Sequence, residues 1–190
     1  MQLTLAHERD ELVERCKNGD SSAYKTIYQQ YAKAMYNTCL RILNNVTDAE
    51  DVLQESFTEA FKGLAFFEYR TSFGGWLKQI CVNRSVNHLK KKKIVWVHIE
   101  QPENYQLSNE PDPDEEELTL KVSTVKKAIL QLPDGYRTVL TLYLLEGYDH
   151  EEIAGILGVA ESTTRSQYIR AKQKLIQLLK KEYEQAGKIH

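Results

Sequence analysis

The sequence predicts an all-α protein of two small helical domains joined by an acidic, flexible linker, with a helix-turn-helix in the C-terminal domain. Three observations carry that prediction. Apolar residues recur at three- and four-residue spacing through residues 1–93 and again through 118–190, the period of helices that bury one face. Between them, in IVWVHIEQPENYQLSNEPDPDEEE (residues 94–117), the period dissolves, and this stretch holds three of the four prolines. Charge divides at nearly the same places. Residues 1–93 carry 14 Lys and Arg against 11 Asp and Glu, residues 94–120 carry 0 against 8, and residues 121–190 carry 11 against 8. The net charge of −2 thus conceals two cationic halves around an anionic connector.

Several function classes are disfavoured at once. No run of 18 apolar residues exists to cross a membrane, and the N-terminus MQLTLAHERDELVERC is too charged for a signal peptide, so a cytoplasmic protein without membrane insertion is expected. Cys16, Cys39 and Cys81 are odd in number, widely spaced and embedded in helical patterns. They suit core packing better than a disulfide framework or a zinc site. The five histidines show no metal-ligand spacing, and no phosphate loop or nucleophile elbow occurs. The expectation is a non-enzyme without a cofactor.

Taken in order, a first helix is expected over His7 to Lys17, closed by Asn18-Gly19, with Asp20 capping a long helix through Ile42. Ala23, Ile27, Tyr31, Ala34, Met35, Thr38, Cys39 and Ile42 form its buried face. After Asn44-Asn45, Thr47 and Glu50 are placed for a capping box that opens a helix through about Leu64. Its outer face carries Asp48, Asp51, Gln54, Glu55 and Glu59, which on composition alone is a solvated polar face. A loop with Arg70, Thr71, Ser72, Gly74 and Gly75 follows, flanked by Phe66, Phe67, Phe73 and Trp76, and a basic helix begins near Trp76. Aromatics beside a polar loop and a basic helix suit an unstacked base and its backbone, but for most of these four, Phe73 and Trp76 above all, a place in the core is expected. The linker's 24 residues reach up to ~80 Å when extended, about two turns of B-DNA.

The most informative stretch is YDHEEIAGILGVAESTTRSQYIRAKQKL, Tyr148 to Leu175. Asp149 and Glu152 make a capping box, Ile153, Ala154 and Leu157 a buried stripe, and Gly158 the residue for a left-handed C-terminus. In the second helix Thr164, Tyr168, Ala171 and Leu175 are expected inside. Arg165, Ser166 and Arg170 then face out, with Gln167 close by. Arg pairs bidentately with guanine and Gln with adenine, so such a helix suits the major groove. Ala160 stands where a capping Ser or Thr is expected, a loss of ~1 kcal/mol if nothing else caps the helix.

LPDGYRTVLTLYLLEGYDHEEIAGILGVAESTTRSQYIRAKQKL, Leu132 to Leu175, resembles region 4 of the sigma-70 family, specifically the extracytoplasmic-function (ECF) sigma factors. NVTDAEDVLQESFTEAFKGL is similar to region 2.2, the helix that docks on core RNA polymerase, and WLKQICVNRSVNHLKKKK to regions 2.3 and 2.4, which melt and read the −10 element. The resemblance implies polymerase-facing roles for Asp51, Gln54 and Glu55. It implies −10 contacts for Phe67, Asn83, Arg84, Asn87 and Lys90, and −35 contacts for Thr163, Arg165, Ser166, Gln167 and Arg170. Residues 1–93 would then be region 2, residues 94–117 the linker, and residues 118–190 region 4. Core RNA polymerase and promoter DNA are the implied partners, with an anti-sigma factor as a family-level expectation. The competing reading is a one-component operator-binding regulator that reuses the helix-turn-helix. A nucleic-acid enzyme using Asp48, Asp51 and Glu55 as metal ligands is a third.

Overall fold

A computed structural model describes residues 10–92 and 115–186, with side chains described over 10–92 and 122–182. The chain divides into two compact units, residues 1–93 and 94–190, and the described residues form α-helices and one 3-10 turn, without strands. The expected helical residues 7–9, most of the linker (94–114) and the tail beyond 186 lie outside the described residues.

The first unit holds α1 (Glu11–Lys17), α2 (Ser21–Leu43), α3 (Val46–Gly63), a 3-10 turn (Leu64–Phe66) and α4 (Phe73–Lys91). Asp10 caps α1, its carboxylate accepting from Leu12 N–H at 2.9 Å. Gly19, at φ +84, turns the chain into α2. Asp20 caps α2 by accepting from Ser22 N–H at 2.9 Å and takes Arg15 Nε and Nη2 at 2.9 and 2.7 Å, so one carboxylate ties both helices. The Ser22 hydroxyl and the Arg15 guanidinium hold that carboxyl well below the usual carboxylate range.

The α2–α3 junction differs from the expected one. Asn44 closes α2 in the left-handed region (φ +51) and Asn45 caps α3 by accepting from Asp48 N–H at 3.0 Å. The two asparagines do both jobs in two residues, so Thr47 already lies inside the helix and its capping box with Glu50 is not used.

The core of this unit is the meeting of α2, α3 and α4. Ile27, Cys39 and Ile42 of α2, Val52, Phe57 and Ala60 of α3, and Leu77, Cys81, Val82 and Val86 of α4 are buried there. Buried Ser56 and Ser85 satisfy their hydroxyls on Val52 O (2.6 Å) and Cys81 O (2.7 Å) of their own helices and need no partner across the interface. All three cysteines are buried thiols outside any disulfide, as packing residues. The Cys81 thiol donates to Cys39, and this bond, reinforced by burial, pushes the Cys81 thiol up. Ala34, expected inside, is exposed, because the stripe is already filled by Met35, Thr38 and Cys39.

The second unit holds α5 (Glu115–Leu130), α6 (Asp134–Leu144), α7 (His150–Leu157) and α8 (Glu161–Ala186). Ala128, Ile129, Leu132, Tyr136, Leu140, Ala171 and Leu175 form one cluster. Every residue from Tyr136 to Leu142 is buried, so the middle of α6 is enclosed by its neighbours. Its polar members are satisfied locally. Arg137, 2% exposed, donates to Leu132 O at 3.0 Å and pairs with Asp134, while Thr138 donates to Asp134 O at 2.7 Å.

Candidate nucleic-acid interface

In the second unit α7, the turn at Gly158 and α8 form the helix-turn-helix. The capping box is complete: Asp149 accepts from Glu152 N–H at 2.8 Å, and Glu152 accepts from Asp149 N–H at 2.9 Å. Gly158 sits at φ +70 and donates to Ala154 O at 2.8 Å, the left-handed close that a side chain would strain. No side chain at Ala160 caps α8. The fully buried Thr164 hydroxyl instead lies 2.8 Å from Glu161 O and 3.1 Å from His150 O, tying the first turn of α8 to the start of α7. His150 stacks on Tyr143 (centroids 4.6 Å apart) and meets the edge of Tyr168, so one aromatic trio joins α6, α7 and α8.

Arg165 and Ser166 are exposed on α8, and Thr163 and Arg170 are half-buried. Arg165 is held by Glu161 one turn back, Nη2 to Oε1 at 2.5 Å. An exposed i,i+4 pair of this kind stabilises by only ~0.3–0.5 kcal/mol, so a base or phosphate can displace it. Gln167 requires correction. It is 8% exposed, between Thr164 and Ala171 on the buried stripe, and its Oε1 has no hydrogen-bond partner. Three residues after Thr164 and four before Ala171 is an inward position, and an inward amide does not present an edge to a groove. Ile169, which sequence reading passed over, is 55% exposed. It completes the outward row Ser162, Arg165, Ser166, Ile169, which the three-to-four spacing from Arg165 could have found.

In the first unit Asp51, Gln54 and Glu55 are exposed on α3, and Asn83, Asn87 and Lys90 are exposed on α4. Two adjoining grooves bring these sets together, and both are lined by Glu55, Glu59, Arg84 and His88. Arg84 bridges the helices: Nη1 lies 2.7 Å from Glu55 Oε2, and Nε bonds Glu59. Glu59, then Glu55, raise the Arg84 pKa further above its ordinary value. At the other end of the interface Asp48 of α3 takes Lys92 Nζ at 2.5 Å and sits 3.2 Å from His88 Nε2. Lys92 first, and His88 after it, lower the Asp48 carboxyl.

The aromatic loop also requires correction at Phe67. The 3-10 turn ends at Phe66, Phe67 is extended and Tyr69 turns at φ +57, and burial alternates along this stretch: Phe66 out, Phe67 in, Glu68 out, Tyr69 in. Phe67 is 6% exposed, stacks on Trp76 at 4.9 Å and meets the edge of Phe73 at 5.9 Å. Its ring belongs to the core; Phe66, 85% exposed, is the ring available to a base. Lys17 of α1 pins this loop, donating to Phe67 O at 2.9 Å and lying 4.6 Å from the Tyr69 ring centre. The basic helix begins at Phe73, capped by Ser72 accepting from Gly75 N–H at 3.1 Å, and not near Trp76. Gly74 thus enters its first turn, where a Cβ would stand 2.9 Å from the Tyr31 ring.

Two helical units, one presenting a cationic and amide-bearing helix and the other a helix-turn-helix, define a DNA-binding transcription protein. Residues 27–94 match the family described as Sigma-70 region 2, and residues 123–175 match Sigma-70, region 4. The ECF RNA polymerase sigma factor SigW of Bacillus subtilis is 30% identical over 172 residues, covering 86% of this chain and 92% of SigW. The RNA polymerase sigma-H factor of Pseudomonas aeruginosa is 31% identical over 179 residues, covering 89% of this chain and 93% of that protein. Among solved structures, the sigma factor RpoE of Bartonella quintana, crystallised with the anti-sigma factor NepR, shares the fold. Its TM-score is 0.53 at 23% identity, covering 83% of this chain and 96% of RpoE. The chain belongs to the sigma-70 family, among its ECF sigma factors, which direct transcription initiation. Residues 27–94 are therefore sigma region 2, not the ligand-binding or dimerisation domain that an operator-binding regulator needs.

Proposed function

We propose that this sigma factor docks on core RNA polymerase through Asp51, Gln54 and Glu55 of α3. It contacts −10 DNA through Asn83, Asn87 and Lys90 of α4 with Phe66 beside them, and −35 DNA through Thr163, Arg165, Ser166 and Arg170 of α8. Family membership over both units carries this reading; the exposed or half-buried placement of these side chains on α3, α4 and α8 supports it. Arg and Ser read base edges in the major groove, and Ile169 adds an apolar contact suited to a thymine methyl. We read the chain as a non-catalytic subunit acting in the cytoplasm, where its polymerase and promoter partners are. No described helix is long and apolar enough to cross a membrane. An anti-sigma factor is a further proposed partner, by extension from the RpoE–NepR complex.

Run-off transcription with purified core enzyme on genomic fragments tests the reading, and the expected result is initiation at discrete sites. Asp51→Arg and Gln54→Ala should each weaken the complex with core while the chain stays folded, since both side chains lie outside the buried stripe. On matched −35 duplexes, Arg165→Ala should lose ~1–3 kcal/mol of sequence discrimination if it contacts a base, whereas a phosphate contact would weaken all sequences alike. Wild-type co-purification of both α3 variants with core would remove the docking assignment.

A further inference from the structure

The loop between α3 and α4 carries Phe66 into solvent, and a ring so exposed is placed by the backbone on which it stands. That backbone is held from α1. Lys17 Nζ donates to Phe67 O at 2.9 Å and the Tyr69 hydroxyl donates to Glu14 Oε1 at 2.7 Å, anchors that lie 50 and 55 residues earlier in the chain. The two anchors are joined, because Lys17 Nζ stands 3.1 Å from the same carboxylate oxygen and 4.6 Å from the centre of the Tyr69 ring. We propose that Glu14, Lys17 and Tyr69 are positioning residues: they fix the stretch that displays Phe66, and through it α1 sets how sharply this unit discriminates −10 sequences. The proposal rests on the placing of Phe66 beside −10 DNA made above. It gives a role to α1, which precedes the residues matched to Sigma-70 region 2.

Three features carry it. The first is backbone conformation. Tyr69 stands at φ +57, in the left-handed region that a residue other than glycine keeps only where its surroundings hold it. Its buried ring packs on Phe67 with centroids 4.7 Å apart while its hydroxyl is tied to Glu14, so the turn is held at both ends of the side chain. The second is the point of attachment. Lys17 bonds the carbonyl of the residue next to Phe66, and its ammonium also lies over the Tyr69 ring, so one cation fixes the loop at two places. The third is the firmness of the support. Val13 and Cys16 bury α1, Asp10 caps it, and Arg15 binds Asp20 at the start of α2, so the anchors stand on a fixed element. A loop ordered before DNA arrives loses little conformational freedom on binding, and the gain goes to the sequence whose base the displayed ring fits.

The test uses holoenzyme reconstituted from the full chain and core enzyme. Its ligands are single-stranded oligonucleotides carrying the non-template −10 sequence of a promoter on which it initiates, or that sequence scrambled. Fluorescence anisotropy reads affinity, and hydrogen exchange of the free full chain reads the order of residues 64–72. Tyr69→Phe removes one hydroxyl and no charge, and Lys17→Met removes the donor but keeps the stem. Each should weaken binding of the matched oligonucleotide about three- to tenfold and of the scrambled one by less than about twofold. Each should also speed exchange over residues 64–72 while α2 and α3 keep wild-type protection. Lys17→Arg, which retains a donor and a cation, should keep most of the matched affinity. In a Phe66→Ala background the loss from either variant should vanish, since both act through that ring. Equal losses on the two oligonucleotides, or a loss that survives Phe66→Ala, would overturn the positioning role. Wild-type affinity in both variants, beside a Phe66→Ala that binds less well, also overturns it and leaves the −10 assignment of Phe66 standing. Wild-type binding by Phe66→Ala strikes at that assignment instead, and the discrimination proposed here falls with it.

Discussion

A buried amide whose oxygen has no partner carries a desolvation cost of ~1–3 kcal/mol, which it repays only if the oxygen is used elsewhere. Gln167 is such a residue, with Oε1 unpaired on the inward side of α8. Gln167→Met keeps the length of the side chain and removes the polar group. The expected outcome is unchanged binding to a −35 duplex, with thermal stability equal or higher by up to ~1 kcal/mol. Loss of affinity on the matched duplex alone would show that Gln167 swings out to read a base. The inward place of Gln167 was hard to see in the sequence because Gln reads as polar wherever it stands, although its spacing from Thr164 and Ala171 was available. Phe67 failed for the converse reason. Two adjacent phenylalanines cannot be told apart until the backbone leaves the helix, and then one falls inside and one outside. Arg137 was hidden inside an apolar run whose enclosure on all sides only the packing of α6 reveals.

Elements were legible to the degree that their ends carry side-chain chemistry. The α7 capping box and Gly158 follow directly from Asp149, Glu152 and the glycine, and Asp20 was readable as the α2 cap. Thr47 and Glu50 had the same spacing and lost, because Asn45 offered an equivalent oxygen two residues earlier. What no capping rule could show is that Asp20 also binds Arg15 of the preceding helix, which makes it a joint between elements. Its folded pKa is depressed by Ser22 and Arg15, so its contribution to stability is present above the unfolded carboxylate value of ~3.9 and is lost as pH falls through the lower folded value. Asp20→Asn retains a capping oxygen and discards the charge. At neutral pH the variant should melt below wild type, and the gap should close as pH drops below ~4. Salt should narrow it as well, since the pair is exposed. A gap independent of both pH and salt would mean that the cap alone matters and the bond to Arg15 does not.

At the scale of the molecule, the two units each enclose an apolar core of their own, and the two sigma regions matched in the sequence fall one in each unit. In the proposed function their faces serve two promoter elements, so covalent linkage has a calculable effect. Once one unit is engaged, the other, being covalently linked to it, is presented at an effective concentration of about millimolar, against nanomolar to micromolar for a separate fragment. The residues between them, 94–114, supply that connection in the sequence. Residues 1–93 and 94–190 expressed apart should each melt cooperatively, and Arg137→Ala should destabilise the second fragment by ~1–3 kcal/mol through its lost bonds to Leu132 and Asp134. An equimolar mixture of the fragments with core enzyme should initiate about a hundredfold less well than the intact chain at nanomolar concentration, and should recover as the fragments are raised to the micromolar range. Run-off product measured against fragment concentration reads this directly. Equal initiation by mixture and intact chain at nanomolar concentration would show that each unit is held on polymerase strongly enough by itself, and that the connector contributes nothing to promoter engagement.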